Sequence, residues 1–148
     1  MNFNLVQASA EDRGFLLALR TSTMVDHLEE AGIFLTQKEH LSRLDEAYDC
    51  SYLIIIEEET VGTLKFRERV DQFEVMQLQI APTHQGYGLG KMVLARVIQW
   101  SVSANKPVAL TVLKANPAKE LYLRLGFNLV GEDEYEFHML RAPASMSA

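Results

Sequence analysis

The sequence predicts an α/β domain with about seven strands and about four helices. Short segments in which apolar residues alternate with polar ones are followed by segments in which apolar residues recur at helical spacing. A glycine-dense stretch at residues 85–91 joins one predicted strand directly to one predicted helix. The 148 residues contain no linker, repeat or low-complexity block, so residues 1–148 are expected to form a single domain.

The first half of the chain is predicted to form one strand, two helices and two further strands. Ser9 and Asp12 resemble a capping box at the start of the first helix, and Gly32 is a stop signal for it. The acidic segment 57–60 separates the last two strands as a turn. The predicted elements are a strand at Phe3–Gln7, helices at 9–32 and from Thr36 through Leu44, and strands at Ser51–Glu57 and Val61–Val70.

The second half continues the alternation and ends in a hairpin. The long helix is expected to end before Pro107, because proline cannot continue a helical hydrogen-bond ladder. From Ala142 onward the residues are small or polar, so a flexible tail is expected at about 142–148. The predicted elements are a strand at Val75–Ile80, a helix ending near Trp100, a strand at Val108–Leu113, a short helix after Asn116, and a hairpin of Phe127–Val130 with Tyr135–Leu140.

The glycine-dense stretch reads Gln85-Gly86-Tyr87-Gly88-Leu89-Gly90-Lys91. Free backbone N–H groups and the positive end of the helix dipole favour an anion at such a helix start. A Walker phosphate loop is excluded, since Met92 stands where Ser or Thr is required. A dinucleotide fingerprint is disfavoured by the glycine spacing and by the absence of an acidic residue from the next predicted strand. Two interpretations of this stretch remain: a phosphate loop of the form Gln-x-x-Gly-x-Gly, and a turn that binds no ligand.

A second motif follows about thirty residues later, at 116–127. Asn116 suits a helix N-cap, and Pro117 suits the first helical position. Gly126 suits the residue that follows a helix. Ala118 and Tyr122 lie one turn apart on the same helix face.

The two motifs together resemble the coenzyme A loop and the Asn-x-x-Ala-x-x-x-Tyr-x-x-x-Gly-Phe segment of the GCN5-related N-acetyltransferases, the GNAT superfamily. The predicted element order is also similar over residues 3–140. The resemblance implies a central mixed, mostly antiparallel twisted sheet of about seven strands, flanked by about four helices. Two of its strands would splay apart at an acetyl-CoA site.

The resemblance also implies roles for individual residues. Tyr122 would protonate the sulfur of the leaving coenzyme A, and a backbone N–H near Leu78 would stabilise the developing oxyanion. Glu74 stands at the spacing of a catalytic glutamate, with His27 or a chain of waters as other candidates for the general base. The residues implied to bind acetyl-CoA are Leu78, Ile80, Ala81, Gln85, Gly86, Tyr87, Gly88, Leu89, Gly90, Lys91, Asn116 and Tyr122.

The function implied is acetyl transfer from acetyl-CoA to a primary amine of a small molecule or peptide, by direct transfer without an acyl-enzyme. A catalytically silent acetyl-CoA sensor and a nucleotide-binding regulator are the alternatives. The acceptor pocket is expected between the first two helices and the final hairpin. Its candidate lining residues are Met24, His27, His40, Tyr48, Phe66 and Tyr135.

Composition restricts the other expectations. A net charge of −6 disfavours general nucleic-acid binding, and the apolar runs are too short to span a membrane. Cys50 is the only cysteine, which excludes an internal disulfide and fits a cytoplasmic location; the N-terminus shows no secretory signal pattern. The four histidines lack metal-ligand spacing, so no metal is expected. The sequence leaves a homodimer open.

Overall fold

A computed structural model describes residues 2–143 of the chain. Most of the predicted tail, residues 144–148, therefore lies outside the described residues. The described strands are β1 (Asn4–Gln7), β2 (Ser51–Ile56), β3 (Glu59–Glu68), β4 (Phe73–Ile80), β5 (Val108–Leu113), β6 (Asn128–Glu132) and β7 (Glu136–Arg141). The described helices are α1 (Arg13–Glu30), α2 (Gln37–Asp45), α3 (Leu89–Ala104) and α4 (Lys119–Arg124).

The seven described strands form a single sheet in the order β1-β2-β3-β4-β5-β7-β6. The pair β4–β5 is parallel and every other neighbouring pair is antiparallel. The crossover between the two parallel strands contains α3, as parallel neighbours require. The predicted mixed, mostly antiparallel sheet with flanking helices is therefore confirmed.

The two faces of the sheet support two apolar clusters, because successive side chains of a strand point in opposite directions. In β2, Leu53 packs with Leu16 and Leu44 beneath α1 and α2. The next residue, Ile54, belongs to the larger cluster with Val93, Leu94 and Val97 of α3. Helices α1 and α2 therefore cover one face, and α3 covers the other.

Strand β4 carries a bulge that changes its side-chain pattern. Lys65 pairs with Gln77 and the next residue of β3, Phe66, pairs with Val75, so Met76 has no partner in the register. Simple alternation predicts that Val75, Gln77 and Gln79 share a face, and this expectation is wrong. Val75 belongs to the cluster beneath α3, whereas the Gln79 side chain contacts Met24 of α1. The extra residue reverses the alternation within the strand.

Two helix starts differ from the sequence prediction by a few residues. Ser9 and Asp12 do form the capping box, but the first turn is a 3₁₀ helix and the regular helix begins at Arg13. Asn116 accepts a hydrogen bond from the N–H of Ala118 at 2.9 Å, and α4 begins only at Lys119. In both places a tight turn precedes the regular helix, which is common at helix ends.

Candidate active site

The bulge marks the point at which the sheet opens. β4 and β5 pair only over Phe73–Val75 and Val108–Leu110, and beyond these residues the two strands separate. A cavity of about 730 Å³ lies at this opening. Its walls come from β4, β5, α1 and the turn before α4. Strands in this arrangement expose backbone groups that have no neighbour to bond.

The backbone of β4 directs two residues toward the opening. Ala81 donates its N–H to Val61 at 2.8 Å, so by antiparallel alternation Gln79 also bonds toward β3. Leu78 and Ile80 then direct their N–H and carbonyl groups away from β3, toward β5. Ala81 differs from them, because its carbonyl also has a partner, the N–H of His84 at 2.8 Å.

The glycine-dense turn lies at the end of β4 and opens α3. Gly86 and Gly88 have φ values of 86° and 79°, a region in which a side chain is strained. A Cβ at either position would project into open space, whereas a Cβ at Gly90 would lie 3.9 Å from Leu78. Gln85 donates to the carbonyl of Ile80 at 2.9 Å, which fixes the turn to the strand.

The N-terminus of α3 is open to a ligand. Among the described residues no side chain caps it, so the N–H groups of its first turn have no side-chain partner. Leu89 is buried and anchors the turn, while Lys91 is exposed and Tyr87 is 70% exposed. A sixteen-residue helix with a free N-terminus beside two left-handed glycines fits the binding of a phosphate group.

Tyr122 of α4 lines the same cavity as Leu78, Ile80, Gln85 and Asn116. Its ring makes an edge contact with Phe127 at 5.9 Å between centroids. Burial raises the pKa of the Tyr122 hydroxyl from its ordinary value, so the hydroxyl keeps its proton at neutral pH. The geometry thus places a neutral proton donor in the wall of the opening.

Glu74 occupies a different environment. It precedes the bulge and does not line the cavity, and its carboxylate pairs with Arg69 and with Arg67, the latter at 3.3 Å. Burial tends to raise the pKa of Glu74, but the hydrogen bonds from the two arginines outweigh it and the pKa is lowered. Such a carboxylate is a weak base. Its predicted catalytic role stays a prediction.

The acceptor-pocket residues predicted from the sequence divide into two groups. Met24 and His27 line the cavity, and the Nδ1 atom of His27 is buried without a hydrogen-bond partner among the described residues. The others do not line it. His40 bonds to Arg20, Tyr48 bonds to the carbonyl of Ser9, Phe66 stacks on Trp100, and Tyr135 is 38% exposed.

Sequence reasoning missed three cationic side chains of the cavity: Arg20, Arg43 and Lys65. They come from α1, α2 and β3, and no spacing in the sequence connects them. A weak signal was present in Lys65, a lysine in the middle of an apolar strand.

Metal-binding clusters and membrane-spanning helices are both absent from the described part of the chain. Residues 2–143 contain no group of three or more metal-ligating side chains. No described helix is both long enough and apolar enough to cross a lipid bilayer.

Comparison with known proteins identifies the family. The sequence model of the "Acetyltransferase (GNAT) family" matches residues 16–127, which is most of the chain and includes the β4 strand, the glycine-dense turn and Tyr122. The chain belongs to the GNAT family. Membership supports acetyl transfer as the general activity.

A curated relative matches over a shorter segment. It is the [ribosomal protein bS18]-alanine N-acetyltransferase of Haemophilus influenzae, 36% identical over 62 residues. These residues are 41% of this chain and 42% of that protein, so the match spans less than half the length of either.

Solved structures share the fold at low identity. The PaiA N-acetyltransferase of Thermoplasma acidophilum, crystallised in complex with coenzyme A, aligns with a TM-score of 0.73 at 16% identity. The alignment covers 96% of this chain and 99% of that one. An acetyltransferase from Thermus thermophilus aligns with a TM-score of 0.76 at 20% identity, covering 96% of this chain and 97% of that one.

Proposed function

We propose that this protein transfers an acetyl group from acetyl-CoA to a primary amine of a small molecule or peptide. One observation carries the proposal: Tyr122 and Gln85 both line the opening between β4 and β5, and Gln85 begins the turn that leads to the free N-terminus of α3. An anion-binding turn alone fits many ligands. A turn that leads into a slot with a proton donor fits a thioester with a phosphorylated tail.

The roles of the chain follow from this arrangement. The N–H groups of Gly88, Leu89 and Gly90 at the start of α3 bind the pyrophosphate, and Lys91 supplies a nearby positive charge. Leu78 and Ile80 bond to the pantetheine arm as a neighbouring strand would. Because both backbone groups of Ala81 already have partners, we do not assign it this role.

The chemical step is a direct exchange of the acyl group. The neutral amine attacks the thioester carbonyl carbon, and the N–H of Leu78 stabilises the oxygen as it becomes negative. The C–S bond then breaks, and the hydroxyl of Tyr122 donates its proton to the departing sulfur. The proton that the nitrogen loses as the amide forms returns the tyrosine to its neutral form. The chain needs no acyl-enzyme, which agrees with the position of Cys50 outside the cavity.

The general base is assigned to His27, which acts directly or through water. Its imidazole lines the cavity, and its Nδ1 atom has no hydrogen-bond partner among residues 2–143. Glu74 is the competing assignment from the sequence. Its two arginine partners favour a structural role, since they hold the carboxylate in its ionised, weakly basic form.

The test is incubation with acetyl-CoA and a panel of amines, followed through the release of free thiol. Amine-dependent release is the expected result, together with stabilisation of the fold by coenzyme A in a thermal shift assay. A catalytically silent sensor would be stabilised by acetyl-CoA but release no thiol above background with any amine. That combination of results would contradict the proposal.

A further inference from the structure

The cavity wall formed by α1, α2 and β3 carries three positive side chains in a protein whose net charge is −6. They are Arg20, Arg43 and Lys65, and we call them the cationic cluster. No described carboxylate forms an ion pair with any of the three. Buried charges in proteins are normally paired, so this cluster favours a negative partner.

Arg20 is the central member. It is only 1% exposed, and it lines the cavity. Its Nε donates to Nδ1 of His40 at 3.1 Å, and its Nη1 contacts the sulfur of Met24 at 3.6 Å. Burial and then the charge of Arg43 lower the pKa of Arg20 to about 10, which leaves the guanidinium charged at pH 7.

The guanidinium group of Arg20, a planar fork of N–H donors, therefore lacks an oxygen atom as a hydrogen-bond partner. Its described hydrogen bonds use one imidazole nitrogen and one weakly accepting sulfur. Among the side-chain donors of proteins, the planar guanidinium is the one whose N–H groups best match the two oxygens of a carboxylate. His40 keeps Nδ1 as an acceptor because burial, followed by the charge of Arg20, lowers its pKa and disfavours its protonation.

Lys65 and Arg43 add charge around this fork. Lys65 is 4% exposed and donates hydrogen bonds to the carbonyls of Leu44 and Glu46 at 3.0 and 2.7 Å. It therefore contributes the electrostatic field of its positive charge to the cavity, but no free hydrogen-bond donor. Arg43 is exposed on α2 and lines the cavity. A negative group that approaches Arg20 would meet both charges.

Two carboxylates also line the cavity and limit the charge it can accept. Glu46 lies near Lys65, and Glu136 of β7 accepts a hydrogen bond from Thr111 at 3.3 Å. β3 and β7 are three positions apart in the sheet, or about 14 Å at ordinary strand spacing. The lining as a whole keeps one positive charge in excess, which suits a singly charged anion.

We propose that the acceptor amine carries a carboxylate and that Arg20 binds this carboxylate, with Lys65 and Arg43 as supporting charges. The inference rests on the proposed acetyl transfer and specifies its substrate class. An amino acid or a similarly small amino carboxylic acid fits, with its carboxylate at the cationic cluster and its amine toward the opening.

The first experiment uses the unmodified protein and matched acceptors: several α-amino acids, their carboxamides and the corresponding amines without the carboxyl group. Rates of thiol release are compared per concentration of neutral amine, because the three classes differ in amine pKa. We expect the best amino acid to exceed its amide in kcat/KM by about 10- to 100-fold, the effect of a hydrogen bond to a charged group.

The second experiment compares Arg20→Met with Arg13→Met. Arg13 lies on the same helix, is exposed and pairs with Asp45 at 2.7 Å, away from the cavity. Arg20→Met should remove the preference for carboxylates while coenzyme A still stabilises the fold, and Arg13→Met should keep the preference. Arg20→Lys, which keeps the charge without the fork, should retain part of it.

A binding measurement separates this inference from the proposed function. N-acetylated amino acids and their amides are titrated against the coenzyme A complex, which requires no turnover. Binding of the carboxylates alone, lost in Arg20→Met, supports the inference even if no amine releases thiol. Equal use of amino acids and amides in the presence of turnover overturns the inference and leaves acetyl transfer standing. Absence of both turnover and carboxylate binding overturns both proposals.

Discussion

The left-handed glycine at the start of α3 offers a sharp test of the phosphate site. Gly88 has φ 79°, and nothing lies within 4 Å of the position that a Cβ would occupy. Gly88→Ala therefore places a methyl group in the space proposed for the pyrophosphate, without a collision inside the protein. Gly32 is a matched control, because it has φ 80°, equally open surroundings, and a position after α1.

Both substitutions carry the same backbone strain. A non-glycine residue in the left-handed region costs about 1–2 kcal/mol. In a domain of this size that corresponds to a decrease in Tm of about 2–8 °C. The strain alone should thus lower the stability of the two variants to a similar extent.

The affinity for coenzyme A should separate the two variants. Loss of one charge-assisted hydrogen bond costs about 1.5–3 kcal/mol, so Gly88→Ala should weaken binding by about 10- to 100-fold. Gly32→Ala should bind as the wild type does. Isothermal titration of each folded protein with coenzyme A measures the difference. Wild-type affinity in Gly88→Ala would refute the site, and equal weakening in both would show only a general effect of strain.

Three other substitutions test the catalytic assignments. Tyr122→Phe should lower kcat at least about tenfold with little change in the affinity for acetyl-CoA, since general-acid catalysis is worth about 10²–10⁴-fold. His27→Gln should lower kcat/KM for the amine because the proposed base is lost, whereas Glu74→Gln should chiefly lower stability. His40 has a lowered pKa in the fold, so the unfolded chain binds protons more readily and the free energy of unfolding should fall as the pH drops below about 6.5.

These predictions have clear contrary outcomes. Turnover of Tyr122→Phe at the wild-type rate would make the tyrosine a packing residue. A fall in kcat/KM for the amine in Glu74→Gln, but not in His27→Gln, would restore the assignment made from the sequence. Urea unfolding at pH 5 and pH 7.5 checks His40, and an identical pH dependence in His40→Asn would exclude it as the cause.

Local sequence patterns were sufficient for most of the fold. Helix caps at Ser9 and Thr36, the period-two strands and the glycine-dense turn are signals confined to a few neighbouring residues, and each has a local physical cause. The order of the elements followed from them. The family resemblance then supplied the arrangement of the sheet.

Features that depend on tertiary contacts were not predictable in the same way. The bulge at Met76 exists only in relation to β3, so a strand read by itself gives the wrong face for Gln77 and Gln79. The cationic cluster is assembled from three elements that are distant in the sequence. Arg20 in particular looked like an ordinary member of a helical pattern, and only its burial without a carboxylate reveals its unusual position.

The opening between β4 and β5 has a consequence for the dynamics of the free protein. Beyond Val75 the two strands face each other as a pair of unpaired edges inside one sheet, a situation that proteins usually avoid. The amide protons of Leu78 and Ile80 should therefore exchange quickly with solvent deuterium. Those of Gln77 and Gln79, which bond toward β3, should exchange slowly. A bound pantetheine arm would slow the exchange at Leu78 and Ile80 and so remove the difference between neighbouring residues. The exchange rates along this one strand therefore report whether the opening between β4 and β5 is occupied.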